Sequence, residues 1–279
     1  MRILIVNSVI DFGSTGRICT DAANDLLKKG HEVKIAYGRA KAVFEKNSEI
    51  GYRIGSDLTV KMHGLYTRLF DKHGYGSKLA TKKFIEWANN FNPDVVWIHN
   101  IHGYYLNFKL FFNWLKNKGI RVVWTLHDCW AITGHCTHFA FVECYKWQSF
   151  CDKCPQKHQY PKSFISRAKK NFIEKKNAFT SLNNLTIVAP SNWLRRLIEQ
   201  SFLSKYPVAV INNGIDLSAF YFENSNFRKK YNIEENKKII LCISSIWSDR
   251  KGINDVFALC NRLNENEIVV LVGNINHSL

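Results

Sequence analysis

No stretch of this 279-residue chain approaches the roughly 18 consecutive apolar residues that a membrane-spanning helix needs. The segment from Met1 to Ile10 also lacks what a secretory leader requires. Asn7, Ser8 and Asp11 interrupt the run, and no small-residue cleavage site follows. It reads as a first buried strand, which places the protein in the cytoplasm. No internal repeat and no low-complexity segment is present. Acidic residues are too few to balance the basic ones: 23 Asp and Glu face 39 Lys and Arg, a net charge of +16. Such a surplus suits nucleic acid, an anionic membrane surface, a phosphorylated substrate or simply a lysine-rich solvated surface. The basic residues are spread along the chain, and no finger or RNA-binding signature accompanies them, which counts against nucleic acid.

What is present is an α/β pattern. Hydrophobic residues make up 46% of the chain, enough for a sizeable core, and its length exceeds one ordinary domain. Arg2 to Asn7 is an apolar, β-rich run. A loop with Asp11, Gly13, Ser14, Thr15 and Gly16 follows, then a helical pattern from Ile18 to Lys29 closed by Gly30, then a strand from Val33 to Tyr37. Further strands are expected at Val95 to His99, Arg121 to Leu126, Leu185 to Ala189 and Val208 to Ile211. Helical patterns end at Asn90, span Leu106 to Lys118 and span Trp193 to Ser201. Such alternation predicts a doubly wound parallel sheet. A second unit follows: a short helix from Phe227 to Tyr231, a strand from Lys238 to Ile243, a polar loop to Gly252, a helix from Ile253 to Leu263 and a strand from Ile268 to Val272.

The glycine loop is not G-x-G-x-x-G. Glycines between a strand and a helix let backbone N–H groups approach a phosphate, although a plain turn uses them too. The wider sequence carries more. Asp11-Phe12-Gly13-Ser14-Thr15-Gly16-Arg17, Gly30-His31-Glu32-Val33, Leu126-His127-Asp128, Ala189-Pro190-Ser191, Asn213-Gly214-Ile215-Asp216 and Arg250-Lys251-Gly252 follow one another in order. In that order they resemble glycosyltransferase family 4, and the cysteine-rich stretch after Leu-His-Asp is similar to a colanic-acid or exopolysaccharide subgroup of bacterial enzymes. The resemblance implies a GT-B-like fold, with a complete N-terminal Rossmann-like domain over 1–216 and an incomplete C-terminal one over 217–279. It implies a retaining transfer from a nucleotide diphosphate sugar to a saccharide or lipid-linked acceptor in surface polysaccharide synthesis, with no essential catalytic metal. The family's paired-glutamate donor motif has no counterpart here, so an inactive truncated relative is an alternative reading. A zinc-stapled nucleic-acid-binding protein is another.

Candidate residues follow. His127 and Asp128 stand at the end of a strand, the ligand edge of an open α/β sheet. His127 matches a family histidine near the reacting sugar, and Asp128 suits a base or an orienting group. Gly13, Gly16, Arg250 and Lys251 are candidates for the donor phosphates; the stretch Ser245-Ile246-Trp247 lacks the further cation that the family often has there. His99, His102, Ser191 and Asn213 are further candidates for the cleft.

Four of the eight cysteines cluster as C-x7-C-x6-C-x2-C at Cys136, Cys144, Cys151 and Cys154, in an insert over about 129–160. Four thiolates at such spacing suit a closed, structural zinc site; His135 and His138 are spare ligands, and free or redox-active thiols are the alternative. Leu58, Met62, Leu65 and Leu69 recur at helical spacing beside Lys61, Arg68 and Lys72, and Lys169, Lys170, Lys175 and Lys176 mark a second basic helix. Either helix suits peripheral docking on the inner face of the plasma membrane, or a core-facing helix with a solvated charged face.

Overall fold

The computed structural model describes residues 1–40, 49–223 and 225–275. The chain divides into two compact units, Met1–Gly214 and Ile215–Leu279. Among the described residues the first holds seven strands: β1 (Arg2–Val9), β2 (Glu32–Arg39), β3 (Gly51–Arg53), β4 (Val95–Ile98), β5 (Arg121–Thr125), β6 (Leu185–Ala189) and β7 (Val208–Val210). They form one sheet in the order β3-β2-β1-β4-β5-β6-β7, and every neighbouring pair is parallel. Parallel strands need crossover helices, which cover both faces of the sheet, so central strands read as unbroken apolar runs. Ile3 to Val6 in β1 are accordingly buried without alternation.

Six helices of this unit are α1 (Gly13–Lys28), α2 (Asp57–Phe70), α3 (Lys78–Phe91), α4 (Phe108–Lys118), α5 (Ala168–Phe179) and α6 (Asn192–Glu199). Their ends follow local chemistry. Ser56 and Thr59 form a reciprocal capping box on α2. The Asn107 side chain accepts from the Leu110 amide at the start of α4, and left-handed Gly119 ends it. One boundary differs from the sequence reading. Helix α1 begins at Gly13, so the expected glycine loop is its first turn. Gly13 is left-handed at φ +64°, and a Cβ on Gly16 would stand 3.2–3.3 Å from Val9, Ile10 and Asp11. Gly16 thus lets the helix pass closely over the end of β1.

The core on one face of the sheet is aromatic. Phe179 of α5 is fully buried and packs against Phe108, Phe112, Trp124 and Trp130, with ring centroids 4.7–6.1 Å apart. The second basic helix, α5, is thus a core helix. Its Lys175 is buried rather than solvated, a correction to the four-lysine surface expected from sequence. For α2 the correction runs the other way. His63 and Thr67 face inward, while Leu58, Met62, Leu65 and Leu69 are exposed.

The second unit contains α7 (Phe227–Lys230), β8 (Lys238–Trp247), α8 (Ile253–Cys260) and β9 (Glu267–Ile275). Strands β8 and β9 pair in parallel, with a register shift between Ile243 and Ile246. Much of the expected polar loop is strand, because the irregularity lets β8 run on through Ser244 and Ser245 to Trp247. Among the described residues this unit is a single β-α-β crossover. Leu241, Ile243, Ile246 and Val272 are exposed on its two-stranded sheet. No helix among the described residues is long and apolar enough to cross a membrane.

Phe179→Ala should remove the centre of the aromatic cluster and lower unfolding free energy by roughly 3–5 kcal/mol. Urea unfolding followed by tryptophan fluorescence measures it; a loss below about 1 kcal/mol would place the core elsewhere.

Candidate active site

The strand order reverses between β1 and β4, and an open α/β sheet binds ligands at the carboxyl ends of its strands beside such a reversal. Asn7, fully buried near the end of β1, organises this edge. Its amide nitrogen donates to Val9 O at 2.8 Å and to Thr15 Oγ1 at 3.3 Å, and its Oδ1 accepts from the Asn100 amide at 3.1 Å. One side chain thus ties β1 to the first turn of α1 and to the loop after β4.

That loop and the loop after β5 bring together His99, His102, His127 and Asp128. His99 Nδ1 and His127 Nε2 are 2.9 Å apart, their rings stacked at 5.2 Å. Burial, reinforced by His127, pushes the His99 pKa down to about 3. Burial also lowers His127 to about 4, with Asp128 opposing and His102 assisting. Both rings are neutral near pH 7, so one donates to the other. His99 Nε2 is buried without a partner. The arrangement that orphans no N–H has His99 Nδ1–H donating to His127 Nε2, which leaves His127 Nδ1–H as a donor.

His102 and Asp128 form the second pair, His102 Nε2 to Asp128 Oδ2 at 2.7 Å. Asp128 Oδ1 accepts from the Trp130 amide at 2.8 Å. Burial alone would raise the Asp128 pKa, yet the charge and hydrogen bond of His102, with the Trp130 amide, hold it below the ordinary carboxylate value. His102 Nδ1 meets the Tyr160 hydroxyl at 3.2 Å. Sequence reasoning missed Tyr160, which comes from the cysteine-rich insert. It also missed His63 and His73, which support the site: His73 Nε2 accepts from the Gly103 amide, and His63 Nε2 from the amides of Gly74 and Gly76, each at 3.1 Å. Their pairing with loop backbone could not be read from spacing.

Ser191 caps α6, accepting from the Leu194 amide at 3.3 Å, so its hydroxyl has a structural task. Asn213 is exposed at the end of the first unit. Gly13 and Gly16 open α1, whose N-cap residue Phe12 offers no side-chain acceptor to the first-turn amides. Arg250 and Lys251 are exposed in a 3-10 turn of the second unit, just before left-handed Gly252 and α8. An open depression of about 870 Å³ lies at the opposite edge of the sheet, lined by Asp94, Arg121, Asn184 and Pro207 at the strand starts. It is on the wrong edge for a ligand of this sheet type.

The cysteine-rich insert folds back on the same domain. Asp71 is its anchor: fully buried, it accepts from the Arg167 amide at 2.6 Å and meets His135 Nδ1 at 2.5 Å. Cys136, Cys144, Cys151 and Cys154 line one small pocket with His135. All four are free thiols, and Cys136 and Cys154 share a thiol–thiol hydrogen bond. Among the described residues, no three His, Cys, Asp or Glu side chains stand at the spacing of a formed metal site.

A sequence model of Glycosyltransferase Family 4 matches residues 15–219. A protein of Escherichia coli K12 named as the colanic acid biosynthesis glycosyl transferase WcaC is 30% identical over 233 residues, 78% of this chain and 55% of that protein. The processive diacylglycerol alpha-glucosyltransferase of Acholeplasma laidlawii is 32% identical over 93 residues, 32% of this chain and 27% of that protein. The chain thus spans about half the length of the first and matches a quarter of the second. The fold is shared with the sucrose-phosphate synthase of Thermosynechococcus elongatus, at TM-score 0.62 and 13% identity over 100% of this chain and 63% of that one. It is also shared with Anabaena HepE, solved with UDP and glucose, at TM-score 0.58 and 13% identity over 100% and 62%. These likenesses bear out the expected GT-B-like architecture.

The buried neutral histidines make stability depend on pH. Folding lowers His63 and His127 from 6.5 to about 4 and His99 to about 3, so the unfolded chain binds more protons below pH 6.5. Stability is complete above about 6.5 and should fall as pH drops through about 4. Urea midpoints measured across that window check this. His63→Gln should give a shallower decline, and a flat profile for the unsubstituted chain would contradict neutral burial.

Proposed function

The chain belongs to glycosyltransferase family 4, and we propose that it transfers a sugar, with retention, from a nucleotide diphosphate sugar to a saccharide or lipid-linked acceptor during surface polysaccharide synthesis. The observation that carries this reading is the convergence of His99–His127 and His102–Asp128 at the carboxyl edge of the parallel sheet. The names of the Escherichia coli relative and the ligands of the Anabaena structure support the acceptor and donor classes. Family membership favours this reading over a nucleic-acid-binding one.

In the reaction, the bond between the sugar C1 and the diphosphate oxygen breaks, and its electron pair leaves with the diphosphate. A new bond forms from an acceptor oxygen to C1, and that hydroxyl loses its proton. His127 is neutral and supplies an N–H donor to a sugar hydroxyl. Asp128 has both oxygens engaged, so it orients His102 rather than taking a proton itself. His102 Nδ1, which meets the Tyr160 hydroxyl, accepts the proton of an acceptor hydroxyl that displaces it. The first-turn amides of α1, which Gly13 opens and where Gly16 lets the helix pass close to β1, suit the diphosphate because no side chain caps them. No catalytic metal takes part.

The same reading gives α2 a task at the cytoplasmic face of the membrane. Leu58, Met62, Leu65, Leu69 and Phe70 are exposed, as are Phe164 and Ile165, whose segment is joined to α2 by the Phe164 amide bonding to Arg68 O at 2.9 Å. Lys61, Arg68 and Lys162 flank this apolar surface, and each basic residue adds about 1 kcal/mol of attraction to an anionic leaflet.

Two measurements test these readings. Incubated with a panel of nucleotide sugars, the chain should release nucleoside diphosphate, and His127→Ala should slow this by roughly 100-fold or more while circular dichroism shows it still folded. Unchanged turnover would remove His127 from the site. In flotation with phosphatidylglycerol vesicles the chain should rise with the lipid, and Met62→Asp with Leu65→Asp should leave it at the bottom. Equal flotation of both would separate α2 from the membrane.

A further inference from the structure

We infer that Cys136, Cys144, Cys151 and Cys154 hold one Zn²⁺ ion in a closed tetrahedral site, with Lys175 as its buried counter-charge and His135, held by Asp71, lining the same pocket. Four observations meet here. The four thiols come from three stretches of the insert yet line a single pocket of about 20 Å³, room for an ion and not for an organic ligand. Backbone amides are already aimed at two of the sulfurs, from Gly134 to Cys151 and from Gln156 to Cys154. Amides placed in this way stabilise thiolates, as at the second residue after the first ligand of a metal-binding turn.

The third observation is a charge without a counter-charge. Lys175 is 1% exposed. Its ammonium donates to the carbonyls of Trp130 at 2.7 Å and Thr133 at 3.0 Å and lies 3.5 Å above the Trp130 ring. No carboxylate among the described residues forms an ion pair with it. A buried cation of this kind is costly unless an anion is near. Burial lowers the Lys175 pKa to about 7, and negative charge on Cys136 and Cys151 is what opposes this most. One Zn²⁺ with four thiolates carries a net charge of −2, which is the missing anion. Binding converts four thiols and one Zn²⁺ into the cluster and four released protons.

The fourth observation is His135. Its side chain is fully buried, Asp71 engages Nδ1, and Nε2 has no partner. A carboxylate behind an imidazole is the usual outer partner of a metal-site histidine. Five donors are present and a tetrahedral ion takes four. With four thiolates bound, His135 stays on Asp71 and lines the site without binding the ion. Closing the site breaks the thiol–thiol hydrogen bond of Cys136 and Cys154 and turns the outer thiols inward by rotation about Cα–Cβ. The ion then fixes the insert that presents Tyr160 to His102.

The test counts metal on the full chain and needs no substrate, so it is independent of the transferase reading. Protein purified without added metal should contain one zinc per chain by mass spectrometry. Cobalt exchange should give the intense visible bands of tetrahedral cobalt thiolate. Cys144→Ser should abolish stoichiometric zinc, and Lys175→Met should weaken zinc retention against a chelator by roughly 10-fold or more. Absence of zinc after reconstitution, with no cobalt thiolate bands, would overturn the proposal. So would a Cys136–Cys154 disulfide in the isolated protein. Zinc retained in Cys144→Ser but lost in His135→Ala would overturn the ligand set. The cobalt spectrum of the unsubstituted chain decides the matter if the variants fail to fold.

Discussion

Asp128 is a carboxylate drawn out of water and kept charged by two donors, His102 and the amide of Trp130. Much of the carboxyl edge of the sheet depends on that balance. Removing either donor would leave a buried charge with too little compensation, a cost of several kcal/mol. Trp130 stands next to the aromatic core, so the donor that steadies Asp128 is held by packing rather than by the loop alone. His102 in turn touches Tyr160 of the insert. Charge, core and insert meet within a few side chains.

A second buried carboxylate explains why the insert stays there. Asp71 follows α2, adopts a left-handed conformation and reaches into the insert, where it meets the Arg167 amide and His135. The Asn171 side chain closes the network on the Asp71 carbonyl at 2.7 Å. Residues 64 to 100 positions apart in sequence are joined at one residue. The insert, which has only 3-10 turns between Cys129 and Arg167, borrows its order from such links and from the thiol pocket.

The strands and their alternation with helices were legible in the sequence because parallel, doubly covered strands are short apolar runs with turn residues at each end. Leu185 to Ala189 was read to the residue. Helix starts were less legible: glycine at Gly13 and Gly16 suggested a loop, whereas the chain begins to coil there because α1 must cross the end of β1 closely. Ser244 and Ser245 suggested the end of a strand, but an irregularity in pairing carries β8 onward. His99, His102, His127 and Asp128, proposed from the strand ends, come together in two hydrogen-bonded pairs. Tyr160, His73 and Asp71 were not proposed, since their partners lie 58, 30 and 64 positions away and no local pattern marks such pairs. On α2, spacing showed one apolar stripe but not which way it faces. Only the inward His63 and Thr67 reveal that the stripe is left outside.

The central claim is that sugar chemistry occurs at the carboxyl edge of the sheet. Backbone NMR of the full chain, titrated with a nucleotide diphosphate sugar, tests it most directly. The account predicts that shifts concentrate on Asn7, His99, His102 and His127, with the depression at the strand starts unchanged. Shifts confined to Asp94, Arg121 and Asn184 would contradict it.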